Sequence, residues 1–232
     1  MIPLPYRDEN PASRFPAVTT FLLVVNVVVW LFEVAHGVEL TTLDYGAIPA
    51  WVLHGIRDGQ LHLFGGTVLL HQEVPPPFTV LTSMFLHGGW MHLIGNMWFL
   101  WIFGDNIEDA MGRVRYLIFY FVCGIVAAAT QILATPGSTM PMVGASGAIA
   151  GVLGGYALLY PRAQVRCLWV LFILVTTITL PAWLLLGMWF VSQFFVAGVS
   201  HVATMAHVGG FVAGLLLVKV FARPTGTPSN YN

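Results

Sequence analysis

The chain has 232 residues, of which 57% are hydrophobic and 8% charged, with a mean hydropathy of +0.80 and a net charge of -1. A soluble domain carries about a quarter charged residues, so this composition excludes one and describes a polytopic membrane protein. No basic cluster offers a surface for nucleic acid. At about 20 apolar residues per crossing, the length suits one all-α membrane domain of about six helices.

Residues 1–14 read as a short cytoplasmic N-terminus carrying Arg7 and Arg14. The apolar run at 15–35 is span one, because it is too long for a signal peptide and lacks a small-residue cleavage site. Residues 37–77 are mixed and contain the breaker Pro75-Pro76-Pro77; their shorter apolar pieces, such as 48–56, read as interfacial. Span two covers about 88–103 and ends in a polar turn at 104–115; span three covers 116–134 and span four 143–160. The block from 167 to 197 is too long for one helix and too short for two with a turn. Pro181 divides it. Residues 168–180, rich in Thr, Ile and Val, then read as an interfacial or re-entrant piece, leaving span five at 180–196 and span six at 205–221. The membrane domain thus runs over 15–222, with a cytoplasmic tail at 223–232.

The positive-inside rule fits this count. With an inner N-terminus, Arg7, Arg14, Arg113, Arg115, Arg162, Arg166, Lys219 and Arg223 fall inside and only Arg57 outside. Spans four and six then run in the same direction, outside to inside. Each opens on a polar residue at a similar depth: Gly144-Ala145-Ser146-Gly147 on one, Ala206-His207 on the other.

A serine nucleophile needs a base within hydrogen-bond reach. The means of approach is a small-residue stripe on each helix, Gly147, Gly151 and Gly155 on span four and Gly210 and Gly214 on span six. On span two His92 and Asn96 share one helix face at i and i+4, where they can donate to a developing oxyanion together with the Ser146 N–H at the start of its helix. His87, His92, Asn96 and Ser146 are expected to line a cavity open to the outside. No acidic residue lies within spans two to six as drawn, so the pair is a Ser/His dyad and packing is expected to orient His207. His36, His54, His62, His71 and His201 lack metal-ligand spacing, and neither a metal nor a cofactor is expected. Cys123 and Cys167 read as packing residues, and Trp183, Trp189, Phe190, Phe194 and Phe195 as lipid-facing or interfacial.

Gly144-Ala145-Ser146-Gly147, Ala206-His207 with Gly210 and Gly214, and His87 through His92-Leu93-Ile94-Gly95-Asn96 together resemble the rhomboid intramembrane serine proteases of bacterial type. Gly104, Glu108, Gly112 and Leu180-Pro181-Ala182-Trp183 with Trp189 and Gln193 add to the resemblance. It implies a six-helix bundle with both termini cytoplasmic, Ser146 as nucleophile and His207 as base and then acid. It also implies an oxyanion hole of His92, Asn96, Ser146 and Gly144, and cleavage of helix-destabilised transmembrane segments near the outer face of a bacterial inner membrane. Two positions depart from the family pattern. Ala150 stands where many members carry an aromatic one turn after the serine, and Trp51 and Arg57 are separated where many have an adjacent pair. Two competing classes are an inactive rhomboid-like protein that binds membrane clients and a six-span transporter with intramembrane polar residues.

Overall fold

Pro16 and Gly37 bound the first long helix, α1 (Ala17–His36), which ends where Gly37 turns at φ +98°. The computed structural model describes residues 3–63, 66–171, 174–196 and 203–223. His201 and residues 224–232 of the expected tail lie outside them. Strand β1 (Leu4–Asp8) precedes α1. After it come the short helices α2 (Val38–Tyr45) and α3 (Pro49–His54), the hairpin of β2 (Asp58–Leu63) and β3 (Gly66–His71), and α4 (Pro76–Thr82). The remaining elements are α5 (Trp90–Met111), α6 (Arg113–Ala134), α7 (Ser146–Leu159), β4 (Gln164–Leu171), β5 (Leu174–Pro181), α8 (Ala182–Val196) and α9 (Thr204–Phe221).

The helix expected to end at 103 continues to Met111, and the reversal into α6 falls at Gly112, at φ +77°. Gly104 is a point of close approach and not a turn. A Cβ there would lie 2.8 Å from Tyr116 Oη and 3.0 Å from Thr19 Cγ2, at the meeting of α1, α5 and α6. Two of the acidic residues that give 104–115 its turn-like look, Glu108 and Asp109, serve the start of α1 and the segment leading into it. Buried Glu108 accepts hydrogen bonds from the N–H groups of Val18 (3.0 Å) and Thr19 (2.8 Å) and from Thr19 Oγ1 (2.9 Å). Asp109 accepts from the Ser13 N–H at 2.8 Å. Free N–H groups at a helix start favour a carboxylate in this way.

Residues 168–171 and 174–180 of the piece expected to be interfacial or re-entrant are strand. Their Val, Thr and Ile content suits a pleated surface, and β4 and β5 pair antiparallel from Gln164 opposite Pro181 to Leu171 opposite Leu174. The N-terminal head joins them: Leu4 lies opposite Leu168 and Asp8 opposite Val165, giving a three-stranded sheet in the order β1-β4-β5. Arg166 Nε reaches Glu9 Oε1 at 2.6 Å. Asp8 Oδ2 accepts from Asn106 Nδ2 (2.8 Å) and Tyr156 Oη (2.7 Å), and burial holds the Asp8 carboxyl above the usual carboxylate range.

The sheet therefore sits at the end of the bundle where α5 turns into α6 and α7 finishes. At the opposite end Ala47 and Met142 exchange backbone hydrogen bonds of 3.1 and 2.8 Å, so the segment between α1 and α5 packs on the loop before α7. The core of Leu22, Leu100, Phe103, Tyr116, Phe119, Tyr156 and Phe211 lies among α1, α5, α6, α7 and α9. The outer surface is apolar too: Phe21, Leu31, Leu133, Leu216 and Val220 are each more than half exposed. Apolar belts of this kind mark contact with something other than water. Helices α1, α6 and α9 are long and apolar enough to cross a membrane, and α7 and α8 are shorter apolar helices. The molecule is a mostly helical integral membrane protein.

Candidate active site

Ser146 is the first residue of α7, delivered by a turn that only glycine makes easily. Gly144 sits at φ +130°, and its N–H donates to the Ser83 carbonyl at 2.8 Å. A Cβ at Gly144 would come within 2.8 Å of His92 Nε2 and 3.5 Å of Ser146 Oγ, so the position has to be bare on two counts. His207 lies in the first turn of α9, and its Nε2 is 2.8 Å from Ser146 Oγ.

The close approach comes from glycine set against backbone. A side chain on Gly210 would overlap the carbonyl oxygen of Gly147, one on Gly214 that of Gly151, and one on Gly154 that of Phe211. Helices α7 and α9 thus meet main chain to main chain. The α7 stripe also faces a second neighbour. At Gly147 an added carbon would strike Ala127, and at Gly151 Cys123, both on α6. Gly155 instead faces Val218 and Phe119, at 3.2 and 3.3 Å from its absent Cβ. Buried Ala150 belongs to the seam, 3.3 Å from where a Gly210 Cβ would be.

Gln131 of α6 fixes the start of α9. Its Oε1 accepts the N–H of Met205 (3.0 Å), which a helix beginning otherwise leaves without a partner, and that of Ala206 (3.2 Å), which also donates to the Ala203 carbonyl at 3.0 Å.

On α5, His92 Nδ1 accepts the Gly88 N–H at 3.3 Å, which places the ring proton on Nε2, the atom nearest Gly144. One turn further along, Asn96 is buried, and its Nδ2 makes no hydrogen bond among the described residues. Such an unpaired donor costs about 1–3 kcal/mol. His92, Asn96, Ser146 and His207 line one cavity of about 710 Å³, with Met91, Phe99 and Met142 among its apolar walls. The site therefore combines a hydroxyl, an imidazole acceptor and two side-chain donors around one volume, the groups that acyl transfer uses.

Residues 76–224, well over half of the chain, match the family model described as Rhomboid domain. The chain belongs to the rhomboid family. Rhomboid protease GluP of Bacillus subtilis is 32% identical over 145 residues, which cover 62% of this chain and 26% of that protein. Rhomboid-like protease 5 of Toxoplasma gondii is 34% identical over 147 residues, 60% of this chain and 16% of its own length. Rhomboid protein 1, mitochondrial, of Saccharomyces cerevisiae is 31% identical over 103 residues, 42% of this chain and 30% of its own length. This rhomboid thus spans under a third of each of these relatives.

Two expectations about the rhomboid site need correction. His87 does not line the cavity; it is fully buried behind His92, ring centroids 5.2 Å apart. Its N–H donates to both carboxylate oxygens of buried Glu33 on α1, at 3.0 and 3.2 Å, so Glu33 anchors the segment entering α5. Packing alone does not orient His207 either: its Nδ1 lies 2.7 Å from Gln193 Oε1. Trp189, expected at a lipid-facing or interfacial position, sets its ring 5.9 Å from that of His207 and 6.1 Å from that of Phe211. Trp183, Phe194 and Phe195 are exposed on α8. Glu33, Gln131 and Gln193 had one signal in the sequence, a polar side chain inside an apolar run.

Proposed function

We propose that this rhomboid is an intramembrane serine endopeptidase working through a Ser146/His207 dyad. The observation that carries the reading is the 2.8 Å contact between His207 Nε2 and Ser146 Oγ, on the same cavity as a buried Asn96 whose Nδ2 makes no hydrogen bond among the described residues. His207 takes the Ser146 proton as Oγ attacks the substrate carbonyl carbon. Negative charge then gathers on the carbonyl oxygen, where His92 Nε2–H, Asn96 Nδ2–H and the Ser146 N–H are placed to receive it, with Gly144 leaving the space open. His207 next gives its proton to the leaving amine, and a water that it deprotonates releases the acyl group from Ser146. A hydrogen bond from Asn96 strengthens as charge gathers on that oxygen, which favours the transition state.

The same reading places six spans over the domain at 15–222, carried by α1, α5, α6, α7, α8 and α9, with both termini cytoplasmic. The enrichment of Lys and Arg in the inner connections supports that orientation, and a bacterial inner membrane is its proposed home. The substrates are transmembrane segments of other membrane proteins. Because a helix hides its peptide bonds and already engages their carbonyls, residues that weaken the helix near the outer face expose the bond to be cut.

The test is cleavage of a helix-destabilised transmembrane substrate in liposomes by the full chain and by Ser146→Ala. The expected loss is at least about 10³-fold; equal product from both proteins overturns the assignment.

A further inference from the structure

Gln193 projects from α8 toward His207, and its contacts leave little freedom in how its amide points. Its Nε2 donates to the Trp189 carbonyl at 3.1 Å and lies 3.2 Å from Ser192 Oγ. Ser192 Oγ itself donates to the same carbonyl at 2.6 Å. A backbone carbonyl only accepts, so the amide nitrogen must face Trp189 and the oxygen must face His207. Oε1 accepts from Nδ1 at 2.7 Å, which requires the imidazole proton to be on Nδ1. Nε2, 2.8 Å from Ser146 Oγ, then carries the free lone pair. Turning the amide over would set its oxygen against the Trp189 carbonyl oxygen, two acceptors face to face, and would move the ring proton to Nε2. A histidine in that tautomer cannot take a proton from serine.

We infer, resting on the serine protease chemistry proposed above, that Gln193 is a positioning residue that holds His207 in its basic tautomer, the task a carboxylate performs in a triad. A neutral amide acts here without placing a second charge in the bundle, where an isolated carboxylate is costly. Trp189 serves the arrangement twice. Its ring packs beside the imidazole, and its carbonyl decides which way the Gln193 amide faces.

The experiment uses the full chain in liposomes, comparing wild type, Ser146→Ala, Gln193→Met and Gln193→Glu with a fluorogenic transmembrane substrate. Methionine keeps the length of the side chain and removes the acceptor oxygen. The expected result for Gln193→Met is a fall in kcat of about tenfold with KM within about twofold, as one neutral hydrogen bond is lost. Labelling of Ser146 by a fluorophosphonate slows in parallel. Gln193→Glu, held neutral by burial, donates its O–H to the Trp189 carbonyl, accepts from Nδ1 at its other oxygen and recovers most of the kcat. In ¹⁵N-histidine-labelled wild-type protein, with the His207 resonances assigned against His207→Ala, the ring is protonated at Nδ1, and that signal weakens in Gln193→Met. An unchanged kcat in Gln193→Met, or a wild-type ring protonated at Nε2, overturns the role of Gln193. The second result is available even if Gln193→Met fails to fold. Full activity in Ser146→Ala removes the serine protease reading itself, an outcome separate from either of these.

Discussion

Helix α9 is held on two sides by different means. Against α7 the contact is main chain to main chain, with Gly210, Gly214 and Gly154 each facing a carbonyl oxygen that leaves no room for a side chain. Against α8 it is made by side chains: Trp189 and Phe190 on Phe211, and Gln193 on His207. Gly187 on α8 has nothing within 4 Å of where its Cβ would be. Ser146 and His207 thus meet across the tighter seam, while Gln193 reaches His207 across the looser one. Proximity and orientation are supplied by separate interfaces.

Substitutions on these two sides, and at Gln131 on the α6 side, are expected to differ accordingly. The largest effect belongs to Gly214→Val, whose side chain would overlap the Gly151 carbonyl. No rotamer relieves a clash at Cβ, so the cost should reach or exceed the roughly 3 kcal/mol upper range of ordinary overpacking. Thermal unfolding in detergent should show the loss, with cleavage abolished; a variant with native melting and activity would mean that the seam is not closed. Gln131→Leu comes next, because it removes the acceptor for the first N–H groups of α9. A lost cap costs about 1 kcal/mol, and kcat should fall several-fold as the turn bearing His207 loosens. The smallest effect is expected on the α8 side. Phe190→Leu gives up the ring contact with Phe211, centroids 4.7 Å apart, worth about 1 kcal/mol, and cleavage should stay within about twofold of wild type. A Phe190→Leu loss matching that of Gly214→Val would erase the distinction between the two sides.

What could be read from the sequence follows the range of each interaction. Ser146, His207 and the glycines around them were legible because the spacing of small and polar residues along one helix states which face is bare. His92 and Asn96 were legible for the same reason, through their separation of four. The sheet was not: β1 finds its partner only with Leu4 opposite Leu168, and a Thr, Ile and Val run beside Pro181 does not by itself state which strand it pairs with. Glu108 and Asp109 imitate a polar turn because the donors they satisfy belong to the start of α1, far away in the chain. Gln193 could be seen as a polar residue in an apolar helix. Its meaning lies in the direction of its amide, which three-dimensional neighbours decide.

The three-stranded sheet has a consequence for the order of assembly. During synthesis β1 emerges before α1, yet the strand it pairs with follows α7. Helices close on local contacts early, whereas pairings between distant segments wait on the closure of a long loop. The β1–β4 ladder can close only once Gln164–Leu171 has been made, after α1 to α7. A chain interrupted before Gln164 would carry β1 with no ladder to join, an open strand edge of the kind that recruits other chains.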